Sequence, residues 1–187
     1  NRSKKVKLTH SQKRLSKAMN KQLENATRAA EAEDDEALEA CVQEAEGHKM
    51  LFASGPPGTG KTFVIHEAIR HWSAKGARIL FGLPTGQLAA EIRAIHPNID
   101  VDTNHGAFLL HRDLQEAASI LTQYDLVIID EVSMLTAEHF EHILALWKYA
   151  EQLPCMVLLG DFWQLPVVDR NAERCECSPA WSSHVHV

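Results

Sequence analysis

The stretch Leu51-Phe52-Ala53-Ser54-Gly55-Pro56-Pro57-Gly58-Thr59-Gly60-Lys61-Thr62-Phe63 sets three glycines, two prolines, a lysine and two threonines directly behind a short apolar run. Glycines let a backbone curl until several N–H groups face one anion, and a helix starting at Lys61 adds the positive end of its dipole. A polyphosphate meets that demand. Gly55, four residues, then Gly60-Lys61-Thr62 is the spacing of a phosphate-binding loop. On this reading Lys61 reaches the terminal phosphates of ATP, the Thr62 hydroxyl holds Mg2+, and Gly55, Pro56, Pro57, Gly58, Thr59 and Gly60 wrap the bound nucleotide. An ordinary Gly-Pro turn is the competing reading. The apolar strand before the loop and the apolar helix after it count against that alternative.

Outward from the loop, short apolar runs alternate with helical patterns. KMLFAS, ARILFGLP, DLVIID and PCMVLLGD are separated by helical stretches at Lys61–Lys75, Gln87–Ile95 and Ala137–Glu151. Buried strands alternating with helices predict the α/β class, a P-loop NTPase whose mostly parallel sheet is covered by helices on both faces. In such sheets ligands gather beyond the carboxyl ends of the strands. Leu126-Val127-Ile128-Ile129 delivers Asp130 and Glu131 to that edge, where Asp130 can engage the Mg2+ and Glu131 can polarise an attacking water. A helix cap or a solvated turn is the plain alternative for such a pair, and the phosphate loop upstream weighs against it. The last run ends in Gly160-Asp161-Phe162-Trp163-Gln164, a short polar side chain followed by Gln164 at an edge where they could contact the γ-phosphate or the water.

At 187 residues, 45% hydrophobic and 24% charged, the chain suits one substantial α/β core. No apolar stretch approaches membrane-spanning length and the first residues lack a signal-peptide core. No membrane partner is therefore expected, and the expected location is intracellular, nuclear or mitochondrial in a eukaryote, and not secreted. Four scattered cysteines predict reduced thiols. The net charge of −6 hides an uneven distribution: Arg2 to Lys21 carries only basic charges and Glu31 to Glu46 only acidic ones. Leu15, Met19 and Leu23 mark a helix face, and the Ala/Glu-rich run over residues 25–46, with Leu38 and Val42, continues helically until Gly47. The expected organisation is a helical N-terminal segment over residues 1–47 and an ATPase domain over residues 48–187. Asn1 in place of methionine suggests an excerpt of a longer protein.

Taken in order, GPPGTGKT, LPTGQLAAEI, HGAF, IIDEVSML and GDFWQLPVV resemble motifs I, Ia, Ib, II and III of superfamily 1B DNA helicases of the PIF (petite integration frequency) type. DEVSM and GDFWQLP are the specific part, since many ATPases share the rest. The likeness covers about Leu51 to Val168, and LTHSQKRL resembles the family's adenine-reading motif, with Gln12 as its glutamine. The resemblance implies a RecA-like domain that hydrolyses ATP to drive 5′-to-3′ translocation on single-stranded DNA. It implies Lys61 and Thr62 on phosphate and Mg2+, Asp130 on the Mg2+, Glu131 as general base, and Gln164 coupling the γ-phosphate to DNA. Thr85 resembles the residue that grips the strand's backbone and His105 the motif Ib contact; a helix N-cap and a partly buried histidine are their structural alternatives. Because Thr85, His105 and the pair Phe162-Trp163 all follow strands at one edge, a strand lying across it would bring a base near Trp163. Such helicases hold ATP between two RecA-like domains. Nothing here matches the second domain's motifs, so that partner domain is expected to be missing from this chain and DNA binding by the chain alone to be weak.

Two other classes compete. An AAA+ ATPase shares the loop and the Asp-Glu pair, but places a sensor asparagine where this chain has LLGDFWQLP. A nucleotide-binding module without turnover would keep the same loop. A guanine-reading Asn-Lys-x-Asp segment is missing from the sequence. Cys175, Cys177, His184 and His186 offer zinc-type ligands at tight spacing. His139 and His142, one helical turn apart, read as surface histidines, and KKVK at Lys4 to Lys7 resembles a nuclear import signal.

Overall fold

Each apolar run becomes a strand in the computed structural model, which describes residues 8–31, 50–56, 58–150, 153–163 and 172–186. They are β1 (Met50–Ser54), β2 (Ile79–Leu83), β4 (Leu126–Ile129) and β5 (Cys155–Gly160). Two further strands escape the pattern of apolar runs. In β3 (Asp100–Thr103) only Val101 is buried while Asp100 and Asp102 face solvent, and β6 (Val185–His186) is two residues long. The sheet order is β3-β2-β4-β5-β1-β6, and every neighbouring pair is parallel.

Parallel neighbours need crossovers, which the helices supply. After α1 (His10–Glu31) come α2 (Lys61–Ser73), α3 (Gly86–Ile95), short α4 (Asn104–Ala107) and α5 (Leu114–Ala117), then α6 (Ala137–Tyr149) and α7 (Pro179–His184). Side chains alternate across a strand, so one run feeds two cores. Val127 and Ile129 pack with Phe140, Ile143 and Trp147 of α6. Leu126 and Ile128 pack with Ile65, Ile69 and Trp72 of α2 on the other face. Each such side chain contributes about 1.5–3 kcal/mol by leaving water. This is the α/β, RecA-like P-loop architecture that the strand-helix alternation and the motif order lead one to expect.

The first helix joins the second of these cores. Met19 and Leu23 are 0% and 2% exposed, Trp72 Nε1 donates to Asn20 Oδ1 at 3.0 Å, and Cys155 Sγ donates to Gln22 Oε1 at 3.1 Å. Helix α1 is thereby clamped to α2 and β5, which fixes the position of its first turn beside the phosphate loop. Leu38, Val42 and Gly47 lie outside the described residues, as does the basic KKVK arm. Among the described residues no helix is long and apolar enough to cross a membrane.

Candidate nucleotide and strand-binding site

Register decides which residues meet at the carboxyl edge. Ser54 pairs with Gly160, Ile129 with Leu158 and Gly82 with Ile129. The loop after β1, the Asp130-Glu131 pair after β4 and Asp161 after β5 therefore emerge side by side. Lys61 opens α2 behind Gly60, which adopts φ 79° and ψ 24° and provides no side-chain cap. By contrast Thr85, Thr136 and Ser178 cap α3, α6 and α7. An uncapped helix start presents orphan N–H groups and a positive dipole end, which an anion satisfies. The Lys61 ammonium bonds the carbonyls of Gly55 and, at 3.2 Å, Pro56, so a cation already lies within the loop. Thr62 is exposed at the next position, and Pro57 lies outside the described residues.

Gln12 meets this loop from α1. Thr9 Oγ1 accepts from Gln12 N at 3.3 Å while Gln12 Oε1 accepts from Thr9 N at 2.8 Å, a capping box that starts the helix. The same amide donates through Nε2 to Thr59 O at 3.1 Å. A Cβ on Gly60 would overlap that amide, and the left-handed backbone there adds strain for any other residue. Gln12 thus braces the loop. A cavity of ≈ 820 Å³ opens between them, lined by Thr9, Gln12 and Arg14 on one side and Ser54, Gly58 and Thr59 on the other. That falls within the roughly 300–1,000 Å³ of small-ligand sites.

The two carboxylates differ in setting. Asp130 Oδ1 accepts from Glu131 N at 2.9 Å, and burial raises its pKa, with that N–H and the Lys61 charge pulling it back. Burial also raises Glu131, helped by the charges of Asp130 and Asp161 and opposed by Lys61. Glu131 has φ 50° and ψ 48°, left-handed backbone that a β-carbon disfavours. Glu131 is thus a strained, half-buried acid whose proton is held by burial and like charges and loosened by one lysine.

Thr85, His105 and Trp163 all reach the same edge. Thr85 is exposed and caps α3, accepting from Leu88 N at 3.4 Å. His105 is exposed on α4, its ring set edge-on to His139 at 5.0 Å. Trp163 is 96% exposed, while Phe162 turns inward against Phe52 and Trp181, so the aromatic pair divides its work between surface and core. Gln164 lies outside the described residues. Of the zinc-type tail, Cys175 Sγ donates to Val132 O at 3.2 Å, Cys177 is exposed and the His186 side chain lies outside the described residues; among the described residues no three metal-type ligands cluster.

A family model described as an AAA domain matches residues 38–170, most of the chain. The chain belongs to this family. Within it, the AAA domain resembles PIF-type helicase motor domains. It is 32% identical over 132 residues to the ATP-dependent DNA helicase PIF1 of Trypanosoma brucei brucei, covering 66% of this chain and 13% of that protein. It is 29% identical over 136 residues to the ATP-dependent DNA helicase Pif1 of Campylobacter jejuni, covering 63% and 29%. Its fold matches the crystal structure of Pif1 helicase from Candida albicans with a TM-score of 0.63 at 20% identity, over 97% of this chain and 39% of that one. It also matches Bacteroides sp Pif1 in complex with ADP-AlF4 with a TM-score of 0.56 at 19% identity, over 89% and 35%. Bacteroides Pif1 bound to ssDNA gives 0.52 at 18% identity, over 88% and 34%. The AAA domain spans less than a third of these curated relatives.

The sequence marks Asp161 only as a short polar side chain ahead of Gln164, and it does not mark His66. Asp161 is 6% exposed, accepts from Trp163 N at 3.0 Å and adds its charge to the field on Glu131. Its place directly after an apolar run is the same signal that marked Asp130. His66, one turn beyond Thr62, contacts His96, and burial lowers both pKa values. No sequence pattern links those two rings. His139 and His142 are half-buried instead of lying on the surface, because α6 turns that flank toward α4 and the tail.

Proposed function

We propose that the AAA domain binds ATP with Mg2+ at Gly55–Thr62 and hydrolyses it as the first half of a motor that travels on single-stranded DNA. The observation that carries this reading is Glu131: a carboxylate held in left-handed backbone at the end of β4, beside Asp130 and within the field of Lys61. Relatives named as ATP-dependent DNA helicases, and neighbours solved with ADP-AlF4 and with ssDNA, support it. Lys61 would leave the Gly55 and Pro56 carbonyls for the terminal phosphates, with the free N–H groups of α2 taking further oxygens. Thr62 and Asp130 would hold Mg2+, an ion that supplies positive charge to the phosphate oxygens when bound. Glu131 would take the proton of the attacking water. Gln12 would line the adenine end, and Thr85, His105 and Trp163 would contact the strand. Gln164 retains its proposed role between nucleotide and DNA, and a second motor domain is the partner that would complete the site.

Lys61→Ala removes the positive charge at the centre of the loop. Calorimetric titration of Mg-ATP should show at least a tenfold weaker affinity, about 1.4 kcal/mol; an unchanged affinity rules out this site.

A further inference from the structure

Beyond the motifs, a short segment runs back across the site. Ala137 N donates to Glu173 O at 2.8 Å, Arg174 forms an antiparallel bridge with Thr136, and Cys175 N donates to Leu135 O at 3.2 Å. Cys175 Sγ adds its bond to Val132 O. Residues 173–175 are thus a strap along 132–137, the stretch that leaves Glu131. From this strap Arg174 reaches the other way. Its Nη2 donates to Phe162 O at 2.8 Å, and its guanidinium lies 5.6 Å from the centre of the Phe162 ring. Glu176 Oε1 forms an ion pair with Arg174 Nε at 2.8 Å, and Glu176 Oε2 is buried without a hydrogen-bond partner among the described residues. Phe162 is held in turn by Phe52 at 5.3 Å and Trp181 at 5.2 Å. The next residue is the exposed Trp163.

We propose that Arg174 is a positioning residue that ties the Glu131 turn to the Asp161–Trp163 turn, so that strand binding at Trp163 and nucleotide binding at Lys61 are coupled through it. This rests on the proposed function. The guanidinium is planar and permanently charged, and its several donors suit one carbonyl, one ring face and one carboxylate at once; an ammonium cannot match all three. A charge-assisted bond in a half-buried setting is stronger than the same bond in water. Movement of the Phe162 carbonyl therefore pulls on the strap, and the strap is bonded to the backbone that leads from Glu131.

The test is a coupling measurement. A magnesium complex of a non-hydrolysable ATP analogue is titrated with and without saturating oligo-dT, and labelled oligo-dT with and without the nucleotide, for wild type, Arg174→Ala, Arg174→Lys and Glu176→Gln. In wild type each ligand should change the other's affinity by about fivefold or more. Arg174→Ala should keep each ligand's own Kd within about twofold while shrinking the mutual effect below about twofold, and Lys should restore part of it. A merely structural role would lower both separate affinities together and leave their mutual effect intact. Glu176→Gln preserves side-chain shape and should also weaken the mutual effect, which keeps the test decisive should Arg174→Ala fail to fold. If wild type binds both ligands without mutual effect, or the variants retain it, the coupling role falls and the reading of the site stands. If wild type binds neither ligand, the functional reading falls and the inference with it.

Discussion

Glu131 holds a backbone conformation that glycine would occupy more cheaply. A non-glycine residue there costs on the order of 1–3 kcal/mol, and such strain collects where a side chain must be aimed. The folded pKa of Glu131 is raised, so the native state holds its proton more tightly than the unfolded chain does. Its stabilising contribution is therefore complete below the ordinary carboxylate range and is lost as pH rises through the folded value. Glu131→Gln removes that loss. Relative to wild type the variant should be about equally stable at pH 4 and more stable at pH 7.5 by urea unfolding, while it binds Mg-ATP normally and, joined to a second motor domain, loses most hydrolysis. Equal pH profiles would remove the electrostatic account of Glu131, and retained hydrolysis would remove its role as base.

Among the elements, α3 poses the sharpest ambiguity, because Thr85 both caps it and is the proposed grip on a strand's backbone. The two roles separate chemically. Aspartate is as good a cap as threonine but repels phosphate. Thr85→Asp should leave unfolding free energy within about 0.5 kcal/mol of wild type, whereas Thr85→Ala should cost about 1 kcal/mol. Thr85→Asp should also weaken oligo-dT binding severalfold; anisotropy showing full affinity would leave Thr85 a cap alone. What could be foreseen in the sequence divides along the same line. The loop, β4 and β5 were legible because glycine spacing and unbroken apolar runs are local signals. Strand β3 was not, since half its residues are acidic, and β6 is too short to carry a pattern. The Thr9–Gln12 capping box is visible as T-x-x-Q, yet its brace to Thr59 joins residues whose separation in sequence leaves no local trace. Arg174 carries no local signal, because a strap is defined by its long-range partners.

For the whole molecule, charge and motif pull in opposite directions. A net charge of −6 disfavours nucleic acid, yet Thr85, His105 and Trp163 share one edge of the sheet. Oligo-dT binding should therefore be weak, steeply reduced by salt and nearly indifferent to sequence. Trp163→Ala should cost about 1–3 kcal/mol of that binding without changing stability, since the side chain is already 96% exposed. Anisotropy independent of salt, or unaffected by Trp163→Ala, would contradict strand binding at this edge.

The strand order also governs when the protein can exist at all. β1 leads into the nucleotide loop, but its two neighbours in the sheet are β5 (Cys155–Gly160) and β6 (Val185–His186). Synthesis at about 5–20 residues per second puts several seconds between them. Throughout that interval the native partners of Met50-Leu51-Phe52-Ala53-Ser54 have yet to be made, and an apolar strand without its partners is the kind of segment that chaperones shield. The loop after β1 leaves the ribosome before its neighbour β5 has been made, so its folded shape follows the synthesis of the strand before Asp161.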